Sequence, residues 1–132
     1  MNIVLDSSAA LEVVLGRPRA EALKTIIETA SKILTSDLYK IETANALWKY
    51  CRGGYIPAAL CPQLLELAEN LIDEYADISA NNMEAMNEAV RLNHSAYDML
   101  YLTLARRTGA ALVTLDKQLA AIAEKEKIRV FK

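Results

Sequence analysis

The sequence predicts an α/β fold with three layers, α/β/α, around a central parallel sheet of four to five strands. Two observations carry this expectation. Short apolar runs rich in β-branched residues fall at residues 2–5, 32–35, 111–114 and 128–131, and longer stretches with apolar residues at helical spacing lie between them. Parallel strands need crossover connections, for which a helix is the usual solution, so the alternation implies a parallel sheet covered on both faces. A chain of 132 residues without a linker, repeat or low-complexity tract reads as one domain, 1–132.

The first run, Asn2-Ile3-Val4-Leu5, breaks to Asp6-Ser7-Ser8, which delivers a buried strand to a helix N-terminus. Residues 18–30 carry Ala22, Leu23, Ile26 and Ile27 at helical spacing, with Pro18 suited to the first turn. After the second strand, residues 38–52 predict a helix that ends at Gly53-Gly54. Residues 57–74 predict another, in which Pro62 marks either a kink or the true start. Asp77-Ile78-Ser79 is a weaker candidate for a fifth strand. Helices at 83–92 and 96–107 follow, the second opened by Ser95 and stopped by Gly109. The last helix, 117–126, separates the two C-terminal strands.

Hydrophobic residues make up 53% of the chain and charged ones 24%, well away from the composition of disordered segments. The net charge of −2 supplies no basic field of the kind that holds proteins on nucleic acid through phosphate contacts. A divalent cation in an acidic cleft would invert that sign locally. Cys51 and Cys61 form no CxxC pair and stand apart from His94, the single histidine, so neither a disulfide framework nor a zinc site is expected and a reducing cytoplasm fits. No stretch approaches the ~18 apolar residues of a membrane span, and the N-terminus lacks a leader pattern, so the expectation is a soluble cytoplasmic protein without a membrane partner.

In open α/β sheets ligands bind beyond the carboxyl ends of the strands. Asp6 follows the first strand and Asp116 closely follows the strand ending at Thr114; each also has a plain reading as a helix N-cap. Asp98 lies in Ser95-Ala96-Tyr97-Asp98-Met99-Leu100-Tyr101-Leu102, a helix apolar nearly all round. It either completes a capping box with Ser95 or needs a counter-charge that no Lys or Arg supplies before Arg106 and Arg107. A helical wheel sets Glu42 with Leu38, Asn45 and Lys49, opposite Ile41, Ala44, Trp48 and Cys51, which predicts a solvated surface residue. Oxygen donors of this kind suit Mg²⁺ or Mn²⁺ rather than zinc.

Four segments together resemble the PIN-domain family, and most closely its VapC-type toxins: Ile3-Val4-Leu5-Asp6-Ser7-Ser8, Ile41-Glu42-Thr43-Ala44-Asn45-Ala46-Leu47, Ser95 to Ala105, and Leu112-Val113-Thr114-Leu115-Asp116. The match spans nearly the whole chain in order, with Asp37-Leu38-Tyr39 replacing the more usual apolar or proline-containing lead-in to the Glu helix. The resemblance implies a Mg²⁺-dependent endoribonuclease, with Mn²⁺ able to substitute, that cuts single-stranded regions of RNA. It further implies a homodimer held inactive by a cognate VapB-type antitoxin. It promotes Glu42 to a metal-site acid beside Asp6, Asp98 and Asp116, and places Ser8 and Thr114 as supporting polar groups near the metal.

Rival readings are weaker. A receiver-type phosphoacceptor domain expects paired acids after the first strand, where Asp6-Ser7-Ser8 has one, and a dehalogenase-like phosphatase expects Asp at Ser8. A non-catalytic module that keeps the fold as scaffold would have no need of all four acids. His94 invites a general-base role, although metal-activated water needs no imidazole. Gly53-Gly54 is a turn and not a phosphate loop. Lys40, Lys49, Arg52, Arg91, Arg106 and Arg107 are candidate contacts for RNA or for acidic groups of a partner, and equally solvated helix faces.

Overall fold

The computed structural model describes residues 1–132. Its sheet contains β1 (Asn2–Leu5), β2 (Lys32–Ser36), β3 (Glu74–Ala76), β4 (Ala111–Val113) and β5 (Val130–Phe131), all parallel, in the spatial order β3-β2-β1-β4-β5. The helices are α1 (Ser7–Val14), α2 (Ala20–Thr29), α3 (Leu38–Arg52), α4 (Cys61–Asn70), α5 (Ile78–Leu92), α6 (Ala96–Thr108) and α7 (Lys117–Lys125). α1 packs against α2, α3 and α4, whereas α6 packs against α5, α7 and the central strands β1, β2 and β4. The sheet lies between these two helix groups, giving the expected three layers with five strands.

Burial explains the sequence character of the central elements. Ile3, Val4, Leu5, Leu112 and Val113 are fully enclosed, as continuous apolar runs must be when a parallel sheet is covered on both faces. α6 is buried from Met99 through Ala105, which accounts for its lack of a polar face. Within this stretch Thr103 bonds back to the Met99 carbonyl at 2.7 Å and accepts from the Asn81 amide at 2.8 Å. Asn81 sits at a kink in α5 and also donates to the Leu100 carbonyl.

Three sequence expectations are corrected. The strand placed at Asp77-Ile78-Ser79 is β3, three residues earlier, pairing Leu34–Ser36 with Glu74–Ala76. Asp77 instead caps α5, accepting from the Ser79 amide at 2.8 Å and its hydroxyl at 2.6 Å, a short-range bond that competes well with a strand ladder. That cap also starts α5 at Ile78 rather than Met83. The helix expected over 57–74 is a 3₁₀ turn, Ala58–Leu60, followed by α4, so Pro62 belongs to the first turn and marks the start.

The topology disposes of the receiver reading. An acid, Asp77, does follow the third strand, but β3 is an edge strand separated from β1 by β2. A receiver-type sheet runs 2-1-3-4-5, with its third strand beside the first. Here the order turns back between β1 and β4, and that switch point is where a ligand site belongs.

Candidate metal centre

Asp6 emerges from β1 at the switch point, 4% exposed, and is the N-cap of α1. Its Oδ1 accepts from the Ala9 amide at 3.0 Å and the Ser8 hydroxyl at 2.7 Å, while Oδ2 accepts from the Thr114 hydroxyl. Thr114 directly follows β4, so this last bond ties the ends of the two strands across the switch. The Leu115 amide donates to Ser8 Oγ, and the Asp116 amide donates to Thr114 Oγ1, both at 3.0 Å. Ser8 and Thr114 are thus the residues that fix Asp6 and aim the chain toward Asp116. Burial pushes the Asp6 carboxyl up to about 6 against the lowering effect of the Thr114, Ala9 and Ser8 bonds, with a further upward push from the Asp98 charge. A carboxylate offers about four acceptor sites, and three are used here, so Asp6 retains one.

Asp116 is exposed and caps α7, accepting from the Leu119 amide at 2.9 Å. The N-cap readings of Asp6 and Asp116 are therefore correct, and they do not compete with a ligand role because each cap bond occupies a single acceptor site.

Asp98 lies in the first turn of α6, which Ser95 caps alone through the Tyr97 amide. The carboxylate does not complete a capping box; it meets His94 Nε2 at 2.6 Å. Desolvation raises its pKa, the His94 bond lowers it, and the Asp116 charge raises it again. His94 reaches this position because Asn93 adopts a left-handed conformation at the end of α5, φ 52°, folding the chain back toward α6. An i,i+4 spacing signalled the contact in sequence, although not its direction.

Glu42 is where the helical wheel misleads. The buried stripe of α3 is Leu38, Tyr39, Thr43 and Leu47, with Glu42 half-buried beside it, whereas Ile41 and Trp48 are 65% and 52% exposed. The wheel assigned the apolar stripe to the core, but its Ala44, Trp48 and Cys51 instead line an open groove against α4, and Ile41 lies outside that groove. Glu42 Oε1 accepts from the Tyr101 hydroxyl at 2.5 Å. Desolvation raises its pKa, the Tyr101 bond opposes this, and the Asp98 charge adds to the rise. Tyr101 was not singled out from the sequence; the available signal was a tyrosine in an all-apolar helix, whose hydroxyl needs a partner once buried.

Asp98 is the hub of this group: its charge is felt by both Asp6 and Glu42, and Asp116 acts on it in turn. None of the four acids forms an ion pair with Lys or Arg. Arg106 and Arg107, the nearest expected cations, are engaged by Glu84 and Glu88. Four carboxylates coupled through Asp98, with His94 as the one basic contact and no Lys or Arg, fit the donor chemistry of a hard divalent cation. Their present positions are not a finished cage, since nowhere do three His, Cys, Asp or Glu side chains already stand where they would grip a metal. Each acid is occupied by its own protein partner.

Removing one such partner has a readable cost. Tyr101→Phe deletes the donor to Glu42 and is expected to raise the Glu42 pKa further and to destabilise the protein by about 1–2 kcal/mol. Chemical denaturation with carboxyl-detected NMR titration checks both, and an unchanged Glu42 titration contradicts the assignment.

Comparison with known proteins agrees with this architecture. The model of the PIN domain matches residues 3–125. The chain is 31% identical over 125 residues to Ribonuclease VapC3 of Pyrobaculum aerophilum, covering 91% of this chain and 93% of that protein. Among solved structures it resembles PAE2754 from Pyrobaculum aerophilum, with TM-score 0.74, 26% identity, and coverage of 92% of this chain and 84% of that one. Similar too are VapC20 of Mycobacterium tuberculosis, described as a Sarcin-Ricin loop cleaving toxin, and VapBC2 of Rickettsia felis bound to a DNA fragment from their promoter. The first has TM-score 0.70 and 20% identity over 91% of this chain and 94% of its own; the second has 0.69 and 14% over 99% and 98%. With this match along nearly its whole length, the chain belongs to the PIN-domain family.

Proposed function

We propose that this protein is a Mg²⁺-dependent endoribonuclease that cuts single-stranded RNA and serves as the toxin of a toxin–antitoxin pair. The observation that carries the reading is the set of Asp6, Glu42, Asp98 and Asp116, linked through Asp98 and without a Lys or Arg partner, in a PIN fold whose β1 and β4 meet at the switch point. The relative named as a ribonuclease supports RNA as substrate. Asp6 and Asp98 would hold the cation directly, with Asp116 and Glu42 completing its shell. When bound, Mg²⁺ or Mn²⁺ would lower the pKa of a coordinated water and neutralise charge on the phosphoryl group. Asp116, the most open of the four, and Glu42 would take up the water's proton. Ser8 and Thr114 hold Asp6 in register, Tyr101 orients Glu42 and His94 orients Asp98.

The substrate needs positive charge that the net composition does not advertise. Beside Asp116 lies a cavity of about 500 Å³ lined by Arg19, Lys117 and Lys132, and Arg19 and Lys117 make no ion pair with any acid. An RNA strand laid in this cavity would leave its scissile phosphate at the carboxylates. Arg19→Gln with Lys117→Gln is expected to reduce the salt dependence of RNA binding by about 1.4 in log–log slope, two phosphate contacts' worth on a single strand. Fluorescence anisotropy with a labelled oligoribonucleotide across a salt series measures it, and an unaltered slope removes the cavity from the RNA path.

Solved relatives that contain both VapB and VapC support a VapB-type antitoxin as partner. Exposed Ile41 and Tyr97 flank Glu42 in a shallow hollow with Leu38 and Asn45. A partner seated on that apolar surface would close the approach to Glu42. The protein would act as a homodimer, and no helix is long and apolar enough to cross a membrane. Expression in growing cells beside the Asp98→Asn form, followed by RNA-end sequencing, tests the whole reading. New cleavage ends with the parent protein alone are expected; identical end profiles would leave a non-catalytic scaffold as the better account.

A further inference from the structure

We propose that Cys51 and Cys61 form a redox-responsive dithiol, a site for an intramolecular disulfide that closes the hairpin between α3 and α4. Their separation in sequence conceals a pairing in space. α3 ends at Arg52 with Gly53 as its cap, Gly54 takes the left-handed conformation at φ 79°, and the chain returns through Pro57 and a 3₁₀ turn to α4, whose first residue is Cys61. Cys51 and Cys61 then face the same apolar cavity of about 430 Å³, with Trp48 and Leu65 among its walls. Both thiols are free and only partly covered, so a small reagent reaches them.

The thiols also act on each other. Burial raises the Cys61 pKa, and its interaction with the Cys51 thiol raises it further, with no other titratable group contributing. The Cys61 thiol otherwise has only a long contact, 4.0 Å, to the Pro57 carbonyl. No group of three metal-ligating side chains includes the pair, so a metal site is not the reason for their proximity. The proposal is independent of the nuclease reading, because neither thiol is among the partners of the four acids.

The oxidant is a low-molecular-weight disulfide of the glutathione class. One cysteine thiolate attacks a sulfur of that disulfide; the reagent's S–S bond breaks, a mixed disulfide forms and one reagent thiol leaves. The second cysteine, as thiolate, attacks the protein sulfur of the mixed disulfide and expels the other reagent thiol. The protein loses two protons and two electrons, and the reagent is recovered as two thiols. A raised Cys61 pKa makes these steps slow at neutral pH and faster near pH 8.

Incubation of the full chain with oxidised glutathione at pH 8, followed by unreduced peptide mapping, tests this. The expected product is a single Cys51–Cys61 cross-link, monomeric on a non-reducing denaturing gel. Its unfolding midpoint should lie roughly 5–10 °C higher, the effect of closing a short loop in the unfolded chain, and should revert with dithiothreitol. Cys51→Ser and, separately, Cys61→Ser should each retain one stable glutathione adduct and show no rise, so the result does not depend on either variant alone. Stable adducts on both cysteines of the parent protein, a cross-link between chains, or no reaction would each overturn the proposal.

Discussion

Asp98→Asn is expected to lower Mg²⁺-dependent RNA cleavage on the order of 10²–10³-fold while leaving the fold intact. The side chain is isosteric, stays within reach of His94, and sits in the first turn of α6, where a neutral amide disturbs no packing. What it removes is the charge that Asp6 and Glu42 both feel. Two further readouts separate loss of the metal site from simple damage. The Asp6 titration should move down slightly, since burial, the main cause of its rise, remains, and calorimetric Mg²⁺ affinity should fall at least tenfold. Cleavage at the parental rate by a pure preparation of the variant would show that Asp98 is no part of the catalytic centre.

Metal-free protein should lose stability as pH climbs from about 4 to about 6.5, the reverse of ordinary acid denaturation. The Asp6 carboxyl is raised to about 6 in the folded protein from its ordinary 3.8. Between those values the folded state holds a proton that the unfolded state has released, so stability falls with rising pH and the fall is complete above the folded pKa. For a side chain 4% exposed, the loss is on the order of 3 kcal/mol, and Glu42 and Asp98, also raised, push in the same direction. Added Mg²⁺ binds the ionised site and should restore the unfolding midpoint at pH 7 but not at pH 4.5. The fall should be smaller in Asp6→Asn. A metal-free midpoint that rises steadily to pH 7, equally in both proteins, would mean that Asp6 is not held in the environment described.

What was readable in the sequence follows from how local each signal is. β1, β2 and β4 announced themselves because a strand covered on both faces has to be apolar throughout. α3 came out with its exact limits because Gly53-Gly54 ends it, whereas β3, only Glu74–Ala76, has too little apolar character to stand out from its neighbours. Asp6 and Asp116 were visible as acids at strand ends. The environment of Glu42 was invisible, because a helical wheel knows only which face is apolar and not that α3 turns its Ile41 and Trp48 outward. The same blindness hid Tyr101, whose importance depends on a residue 59 positions away, and the meeting of the two cysteines.

The bond from Thr114 to Asp6 joins positions 108 apart in sequence, and β4 enters the sheet between β1 and β5 only after the preceding 110 residues have been made. During synthesis β1 therefore waits with one ladder of backbone groups open, and loop-closure entropy makes the late pairing slow. Until that strand arrives Asp6 has only its local bonds to Ser8 and Ala9, and Asp116 comes later still. A ribosome-bound or truncated fragment ending before Ala111 therefore carries Asp6, Glu42 and Asp98 without β4, the Thr114 bond or Asp116, and is expected to cleave no RNA.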